Sequence, residues 1–142
     1  MAHEPETPAA LRRTAEEGAR MAGGILRERF PHHRTIEFKG GIDLVTDADR
    51  ASEAALLDFL RQRHPHHAIL AEESGATQGT DTFRWIVDPL DGTTNYSHQV
   101  PHFCVSVAVE GPEGTVAGAV YDPMRDELFS AAKGEGATLN GV

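Results

Sequence analysis

The stretch Trp85–Tyr96, WIVDPLDGTTNY, changes character in its middle. It begins with three apolar residues, which are typical of a buried strand, and continues with two acids, Asp88 and Asp91, a glycine and two threonines. Enzymes often place reactive groups where a strand ends, because the packed strand holds them still. Two interpretations follow: the carboxylates bind a ligand, or Asp, Pro and Gly simply form a turn.

Two further groups of acids lie at the ends of predicted elements. Glu72 and Glu73 follow the short apolar segment AIL, while Asp43, Asp47 and Asp49 lie where an extended segment meets a predicted helix. Each group has an ordinary interpretation, as a surface pair or as a helix cap. Together the three groups favour a shared site, because carboxylates gathered at one sheet edge repel each other unless a cation lies between them. Their hard oxygen ligands favour Mg²⁺ or Mn²⁺.

The order of the predicted elements indicates the fold class. Helical periodicity predicts one helix over residues 7–30, started by Thr7-Pro8, and a second over residues 46–64, ended by Pro65. Short strands follow: AIL, FRWIV, FCVSVAVE, TVAGAVY and ELFSAA, with residues 78–81 as a loop. Gly-Pro and Asp-Pro turn signals between the later strands predict an antiparallel meander. Two helices on a largely antiparallel sheet make an α+β fold.

Composition excludes several classes of partner. The 142 residues make one domain's worth of chain, and their net charge of −9 argues against nucleic acid and anionic membranes as partners. The single cysteine, Cys104, cannot form an internal disulfide, and no apolar run of about 18 residues occurs. We therefore expect a cytoplasmic protein.

The histidines occur in two groups, His32-His33 and His64-Pro65-His66-His67. Such groups suggest zinc, but these lie in polar connections and lack the spacing of a closed zinc site. We expect them to face solvent.

Three blocks of the sequence resemble one known family. WIVDPLDGTTNYSHQVPHFCVSVAV, residues 85–109, is similar to the inositol monophosphatase signature Asp-Pro-(Ile/Leu)-Asp-Gly-Thr-Thr-Asn-(Phe/Tyr). KGGIDLVTDADRASE, residues 39–53, and AEESG, residues 71–75, resemble the two earlier blocks of that family in order and separation. The resemblance runs from about Leu11 to Val142. It implies a layered α/β sandwich of the sugar-phosphatase type, and it implies that the acids are metal ligands.

The resemblance also implies a ligand for each of two Mg²⁺ ions. Glu72, Asp88, the Leu90 carbonyl and the Thr93 hydroxyl would surround the first ion. Asp88 would also reach the second ion, together with Asp91. A carboxylate that bridges two cations is the usual arrangement in two-metal phosphoryl chemistry.

Further roles are implied around these ligands. Glu72 and Thr93 would orient the attacking water as the catalytic residues, and the backbone N–H groups of Gly92 and Thr93 would bind the phosphate. Asp47 matches no ligand position and is interpreted as a helix cap. Three residues would support the site: Lys39, Asp49 and Glu73.

The resemblance predicts Mg²⁺-dependent hydrolysis of a small polyol monophosphate by two-metal activation of water. The GTTNY and HQVP segments keep the form of the inositol phosphatases, so inositol 1-phosphate is the first candidate. The alternatives are a histidinol-phosphate, sugar or bisphosphate-nucleotide phosphatase, or an inactive metal-binding fragment. The full-length form could be a homodimer.

The end of the sequence leads to an expectation about completeness. Asn140-Gly141 predicts a two-residue hairpin turn, and only Val142 follows it. The Trp-Asp block of the family, which supplies a third carboxylate to the second metal, does not occur. We therefore expect residues 1–142 to be an N-terminal metal-binding half without its C-terminal α/β half, and to have little activity alone.

Overall fold

The computed structural model describes residues 6–31, 43–72, 74–79 and 82–142, and the strand at residues 36–39; for residues 36–39 and 43–46 it describes the backbone. The elements are α1 (Pro8–Arg29), β1 (Ile36–Lys39), β2 (Asp43–Thr46), α2 (Asp47–Arg63), β3 (Ala68–Ala71), β4 (Gly75–Thr77), β5 (Arg84–Asp91), α3 (Thr93–Ser97), β6 (Cys104–Gly111), β7 (Gly114–Asp122), β8 (Glu127–Ala132) and β9 (Gly136–Leu139).

Seven of these strands form one sheet in the order β4-β3-β5-β6-β7-β8-β9, and β1 pairs with β2 separately. The β3–β5 pair is parallel, and the other pairs are antiparallel. The run from β6 to β8 is the predicted meander, and β5 and β9 extend it at its two sides. The expected α+β fold, with two N-terminal helices and a largely antiparallel sheet, is confirmed.

Both helices begin and end close to the predicted positions. The Thr7 side chain accepts a hydrogen bond from the backbone N–H of Ala10 at 3.1 Å, and Pro8 occupies the first turn of α1. Asp47 is the first residue of α2 rather than the residue before it, and its carboxylate lies 3.7 Å from Arg29. Within the described residues, no helix is long and apolar enough to cross a membrane.

The core lies between the helices and one face of the sheet. Val105, Val107 and Val109 point into it from β6, as their alternation with smaller residues predicted. Trp85 and Leu56 are also fully buried there. The outer sheet face carries apolar side chains that are 36–46% exposed: Leu70, Ile86, Val120, Phe129 and Leu139.

Residues 139–142 form the turn that the sequence predicted. Asn140 and Gly141 both have left-handed backbone angles, with φ of 51° and 84°. The N–H groups of Leu139 and Val142 each donate to the other's carbonyl at 3.1 Å. Two residues with positive φ, closed by such a reciprocal pair, are typical of a type I′ hairpin turn.

Two strand predictions need correction. The strand expected to end before Asp88 continues to Asp91, because β6 still pairs with it at Asp88 and Asp91. The short strand β4, Gly75–Thr77, was not predicted, since three residues beginning with a left-handed glycine carry no alternation to recognise.

Candidate active site at the ends of strands β3 and β5

The parallel pair β3–β5 brings Glu72 and Asp88 to one edge of the sheet. Ala71 pairs with Val87, so Glu72 and Asp88 are the next residues on neighbouring strands. The Glu72 N–H donates to the Val87 carbonyl at 3.3 Å. Strands that run in the same direction end at the same edge, which is why acids 16 positions apart in the sequence become neighbours.

An irregularity in β5 shapes the segment that follows Asp88. Asp88 pairs with Ser106 and Asp91 with Cys104, so β5 has an extra residue between these positions. The Leu90 N–H turns back to donate to Asp88 Oδ1 at 3.3 Å. Such bulges redirect side chains next to functional sites, and this one places both acids of the motif at the same sheet edge.

Thr93 connects this segment to helix α2. Its hydroxyl lies 3.3 Å from the Leu90 carbonyl oxygen and 3.2 Å from Asp49 Oδ1. Asp49 is buried, with 3% of its surface exposed. The structure therefore brings Asp49, Leu90 and Thr93 together, three residues that the sequence placed in the site.

Gly92 occupies a position that requires glycine. Its backbone is left-handed, with φ 104° and ψ 34°, and it immediately precedes α3. An added Cβ would lie 3.0 Å from the Phe103 Cβ. Both the conformation and the contact oppose a side chain here, because the backbone packs closely against Phe103 at this point.

The carboxyl groups around Asp88 are electrostatically strained. The pKa of Asp88 is raised from 3.8 to about 6. Burial is the largest cause, and the charges of Asp91, Glu72 and Asp49 add to it, while the hydrogen bond from the Leu90 N–H lowers the pKa. Like charges that share a site disfavour ionisation unless a cation neutralises them. The donor set is all oxygen, from carboxylates, a carbonyl and a hydroxyl, and it fits Mg²⁺.

Cys104 lies beside the site, with its sulfur 3.9 Å from Asp91 Oδ2. Burial, followed by the charge of Asp91, raises the pKa of its thiol to about 11. The thiol is therefore protonated at neutral pH and is a poor nucleophile there. The sequence predicted no role for Cys104 in the site, and only the pairing of β5 with β6 brings it there.

Two of the expected supporting residues are not placed by the structure. Glu73 lies outside the described residues, and so does the side chain of Lys39 on β1. Their predicted roles, like the ligand roles of the other site residues, stay predictions.

Two histidines of the second group correct a prediction, whereas His66 is exposed as expected. His64 and His67 are each only 4% exposed, whereas they were expected to face solvent. The Trp85 indole N–H donates to His67 Nδ1 at 3.0 Å, and His67 Nε2 lies 2.8 Å from Glu6 Oε1. Burial is possible because neighbouring aromatic and polar residues form hydrogen bonds with the ring nitrogens, as Trp85 and Glu6 do with His67. His32 and His33 lie outside the described residues.

Glu6, His64 and His67 place one potential ligand atom each within 4.8 Å of the others. However, the two imidazole rings are stacked, with centroids 4.5 Å apart and planes 2° from parallel. A metal lies in the plane of each imidazole that binds it, and two stacked parallel planes share no such point. Because Trp85 donates to Nδ1, the proton of a neutral His67 is on Nε2, where it donates to Glu6. This arrangement fits a chain of hydrogen bonds between Trp85, His67 and Glu6, and it does not fit a metal centre.

Comparison with known proteins agrees with the resemblance. The sequence profile of the inositol monophosphatase family matches residues 8–142. The Nus factor SuhB of Escherichia coli strain K12 is 46% identical over 130 residues, which cover 89% of this chain and 49% of that protein. The chain thus spans about half the length of the curated relatives it matches.

Solved structures share the fold. The extragenic suppressor protein suhB from Bartonella henselae superimposes with a TM-score of 0.89 at 40% identity, over 92% of this chain and 52% of that one. An IMPase/NADP phosphatase complexed with Mg²⁺ and phosphate gives a TM-score of 0.75 at 32% identity, over 84% and 46%. With the profile match over nearly all of its residues, the chain belongs to the inositol monophosphatase family.

Proposed function

We propose that the acids around Asp88 form a Mg²⁺ site for the hydrolysis of small phosphomonoesters. The observation that carries this proposal is the convergence of Glu72, Asp88, Asp91 and Asp49 near one sheet edge, where burial first and then the charges of its neighbours raise the pKa of Asp88 to about 6. Such a cluster is stabilised by a divalent cation. Family membership supports the reaction class, and the related phosphatase structure with Mg²⁺ and phosphate supports the ion.

Each residue has a proposed role. Glu72, Asp88, the Leu90 carbonyl and the Thr93 hydroxyl would hold one ion, and Asp88 with Asp91 would hold a second. Bound Mg²⁺ supplies charge neutralisation and Lewis acidity toward water and phosphate oxygens. Glu72 and Thr93 would orient the attacking water.

The remaining predicted roles surround these ligands. The Gly92 and Thr93 N–H groups would bind the phosphate, and Asp49 would keep the Thr93 hydroxyl oriented through the 3.2 Å contact. Lys39 and Glu73 would support the site.

The proposed substrate is a small polyol monophosphate, with inositol 1-phosphate first. Sugar phosphates, histidinol phosphate and bisphosphorylated nucleotides are the alternatives within the same reaction class. Because the chain spans about half the length of its relatives, we propose the hydrolytic activity, and the expected homodimer, for a protein that combines this segment with a second half like theirs.

Metal binding can be tested on the 142-residue chain itself. We expect calorimetric titration to detect Mg²⁺ binding by the wild type and to lose it in Asp88→Asn, because a central carboxylate of the cluster becomes neutral. Asp58→Asn changes an exposed acid of α2 and should leave binding unchanged. Equal affinities of wild type and Asp88→Asn would remove Asp88 from the site and the proposal with it.

Hydrolysis can then be measured on a chimera, in which residues 1–142 are joined to the half of a relative that this chain does not match. Mg²⁺ should support release of phosphate from inositol 1-phosphate faster than from histidinol phosphate or a bisphosphorylated nucleotide. Zn²⁺ should be a poor substitute, since the proposed ligands are all oxygen. Zn²⁺ as the best activator would contradict the ligand set.

The names of relatives favour a second candidate, a role as a Nus factor, as in Nus factor SuhB. The net charge of −9 disfavours direct contact with nucleic acid, so we propose that any such role uses protein partners. A mobility-shift assay with RNA at physiological salt should show no complex. A salt-sensitive shift would contradict the expectation that nucleic acid is not a partner.

A further inference from the structure

Glu53 is a buried acid that the proposed ligand set does not include. It lies on α2, one turn after Asp49, and only 6% of its surface is exposed. Its carboxylate accepts a hydrogen bond from the Ser74 backbone N–H at 3.4 Å and another from the Ser74 hydroxyl. Burying a carboxylate is costly, and these hydrogen bonds offset that cost.

The partner of Glu53 lies two residues beyond Glu72. Side chains four residues apart lie on the same face of a helix, so Asp49 and Glu53 project from one face of α2. Asp49 accepts from Thr93, just beyond β5, while Glu53 accepts from Ser74, just beyond β3. One helix face therefore contacts both segments that carry proposed metal ligands.

We propose that Glu53 is a positioning residue for Glu72, acting through Ser74; this inference rests on the proposed function. The Glu72 N–H is held on the β5 side by the Val87 carbonyl at 3.3 Å. Beyond it the chain reaches Gly75, whose φ of 77° turns it into β4. The Glu53–Ser74 contact anchors this turn to α2 and thereby limits where the Glu72 carboxylate can lie.

Residues that orient a metal ligand without touching the metal commonly change affinity by about 10- to 100-fold when they are removed. We therefore expect Glu53→Ala to weaken Mg²⁺ binding at least tenfold by calorimetry. Glu53→Gln keeps one oxygen that can accept from the Ser74 N–H, and its amide NH₂ can donate to the Ser74 hydroxyl oxygen, so it should bind Mg²⁺ nearly as well as the wild type. If Glu53→Gln loses as much affinity as Glu53→Ala, the Glu53 charge acts on the ion itself and the positioning role is wrong.

Ser52→Ala is the matched control on the same helix. Ser52 is buried, but its hydroxyl donates only within α2 in the contacts described, to the Ala48 and Asp49 carbonyls. Any loss of helix stability should therefore lower its unfolding midpoint without changing its Mg²⁺ affinity. Equal losses of affinity in Ser52→Ala and Glu53→Ala would overturn the inference, because both would then act through stability.

A second measurement does not depend on a metal. In Mg²⁺-free protein, amide hydrogen exchange at Ser74 and Gly75 should be faster in Glu53→Ala than in the wild type. If the wild type binds Mg²⁺, then unchanged exchange or unchanged Mg²⁺ affinity in Glu53→Ala overturns the positioning role and leaves the proposed function standing. Faster exchange in a protein whose wild type binds no Mg²⁺ overturns the proposed function, and the role of Glu53 with it.

Discussion

The fold around Asp88 strongly shifts the ionisation of its carboxyl group. Its pKa is raised from 3.8 to about 6, mainly by burial and then by Asp91 and Glu72. The folded protein therefore binds more protons than the unfolded chain between about pH 4 and pH 6. The stability that comes from the protonated carboxyl is present below that window, and it is lost as the pH rises through it.

This shift leads to a prediction for the metal-free protein. At about pH 7.5, in the presence of a chelator, Asp88→Asn should be more stable to urea than the wild type, by on the order of 1 kcal/mol. The figure is discounted because the carboxyl is only half-buried and solvent screens its neighbours. Near pH 4 the two proteins should be almost equally stable. A wild type that gains stability between pH 4 and pH 7 relative to the variant would contradict the raised pKa.

At the residue scale, local order placed the acids after apolar runs, and the family resemblance implied that they are metal ligands. Glu72, Asp88 and Asp91 each follow an apolar run, and β3 and β5 bring them to one sheet edge. The same reasoning was wrong for His64 and His67, which are buried. A histidine is buried or exposed according to its tertiary partners, here Trp85 for His67, and a polar neighbourhood in the sequence says nothing about those.

At the element scale, α1 shows how close packing overrides helix propensity. Its consecutive glycines, Gly23 and Gly24, both weaken a helix in isolation. A Cβ on Gly23 would lie 2.4 Å from Tyr121 Cδ2, whereas a Cβ on Gly24 would meet nothing within 4 Å. Gly23 therefore sets the spacing between α1 and β7, and Gly24 does not.

Two matched variants test this difference. Gly24→Ala should stabilise the protein by about 0.5–1 kcal/mol, because alanine favours the helix and reduces the entropy of the unfolded chain. Gly23→Ala should destabilise it by about 1–3 kcal/mol, because Tyr121 must move. Urea unfolding of both variants measures the difference. Similar gains from both substitutions would contradict the described contact between α1 and β7.

The length of β5 shows where element boundaries escape sequence analysis. Asp-Pro-Leu-Asp-Gly contains three turn-forming residue types, which predicted an end before Asp88. The strand reaches Asp91 because β6 supplies partners at Ser106 and Cys104. Pairing with a distant segment, rather than local propensity, thus determines where this strand ends.

At the scale of the whole molecule, the two faces of the sheet differ in exposure. Leu128 on β8 is 4% exposed, whereas its neighbour Phe129 is 46% exposed and faces outward. Val120, which pairs with Phe129, is 40% exposed on the same outer face. Neighbouring residues of one strand therefore belong to opposite surfaces of the sheet.

The two neighbours should respond differently to the same substitution. Leu128→Ser should cost about 2–5 kcal/mol in urea unfolding, because it leaves a cavity and buries a hydroxyl. Phe129→Ser should change stability by only about 0.5 kcal/mol and should lower the fluorescence of a dye that binds apolar surfaces. Unchanged dye fluorescence in Phe129→Ser would mean that the outer face is covered in solution.

The sequence by itself determined most of the elements, the meander and the identity of the acidic motif, because helical and strand periodicity and turn residues act over a few neighbours. Glycine at position 92 and the Asn140-Gly141 turn are also local, since each depends on a positive φ. Only the tertiary structure decided what meets at the site. The parallel β3–β5 pair, the buried histidines, and the contacts of Asp49 and Glu53 with the segments beyond β5 and β3 join residues far apart in the chain. Such contacts depend on which surfaces pack together, and no local pattern contains that information.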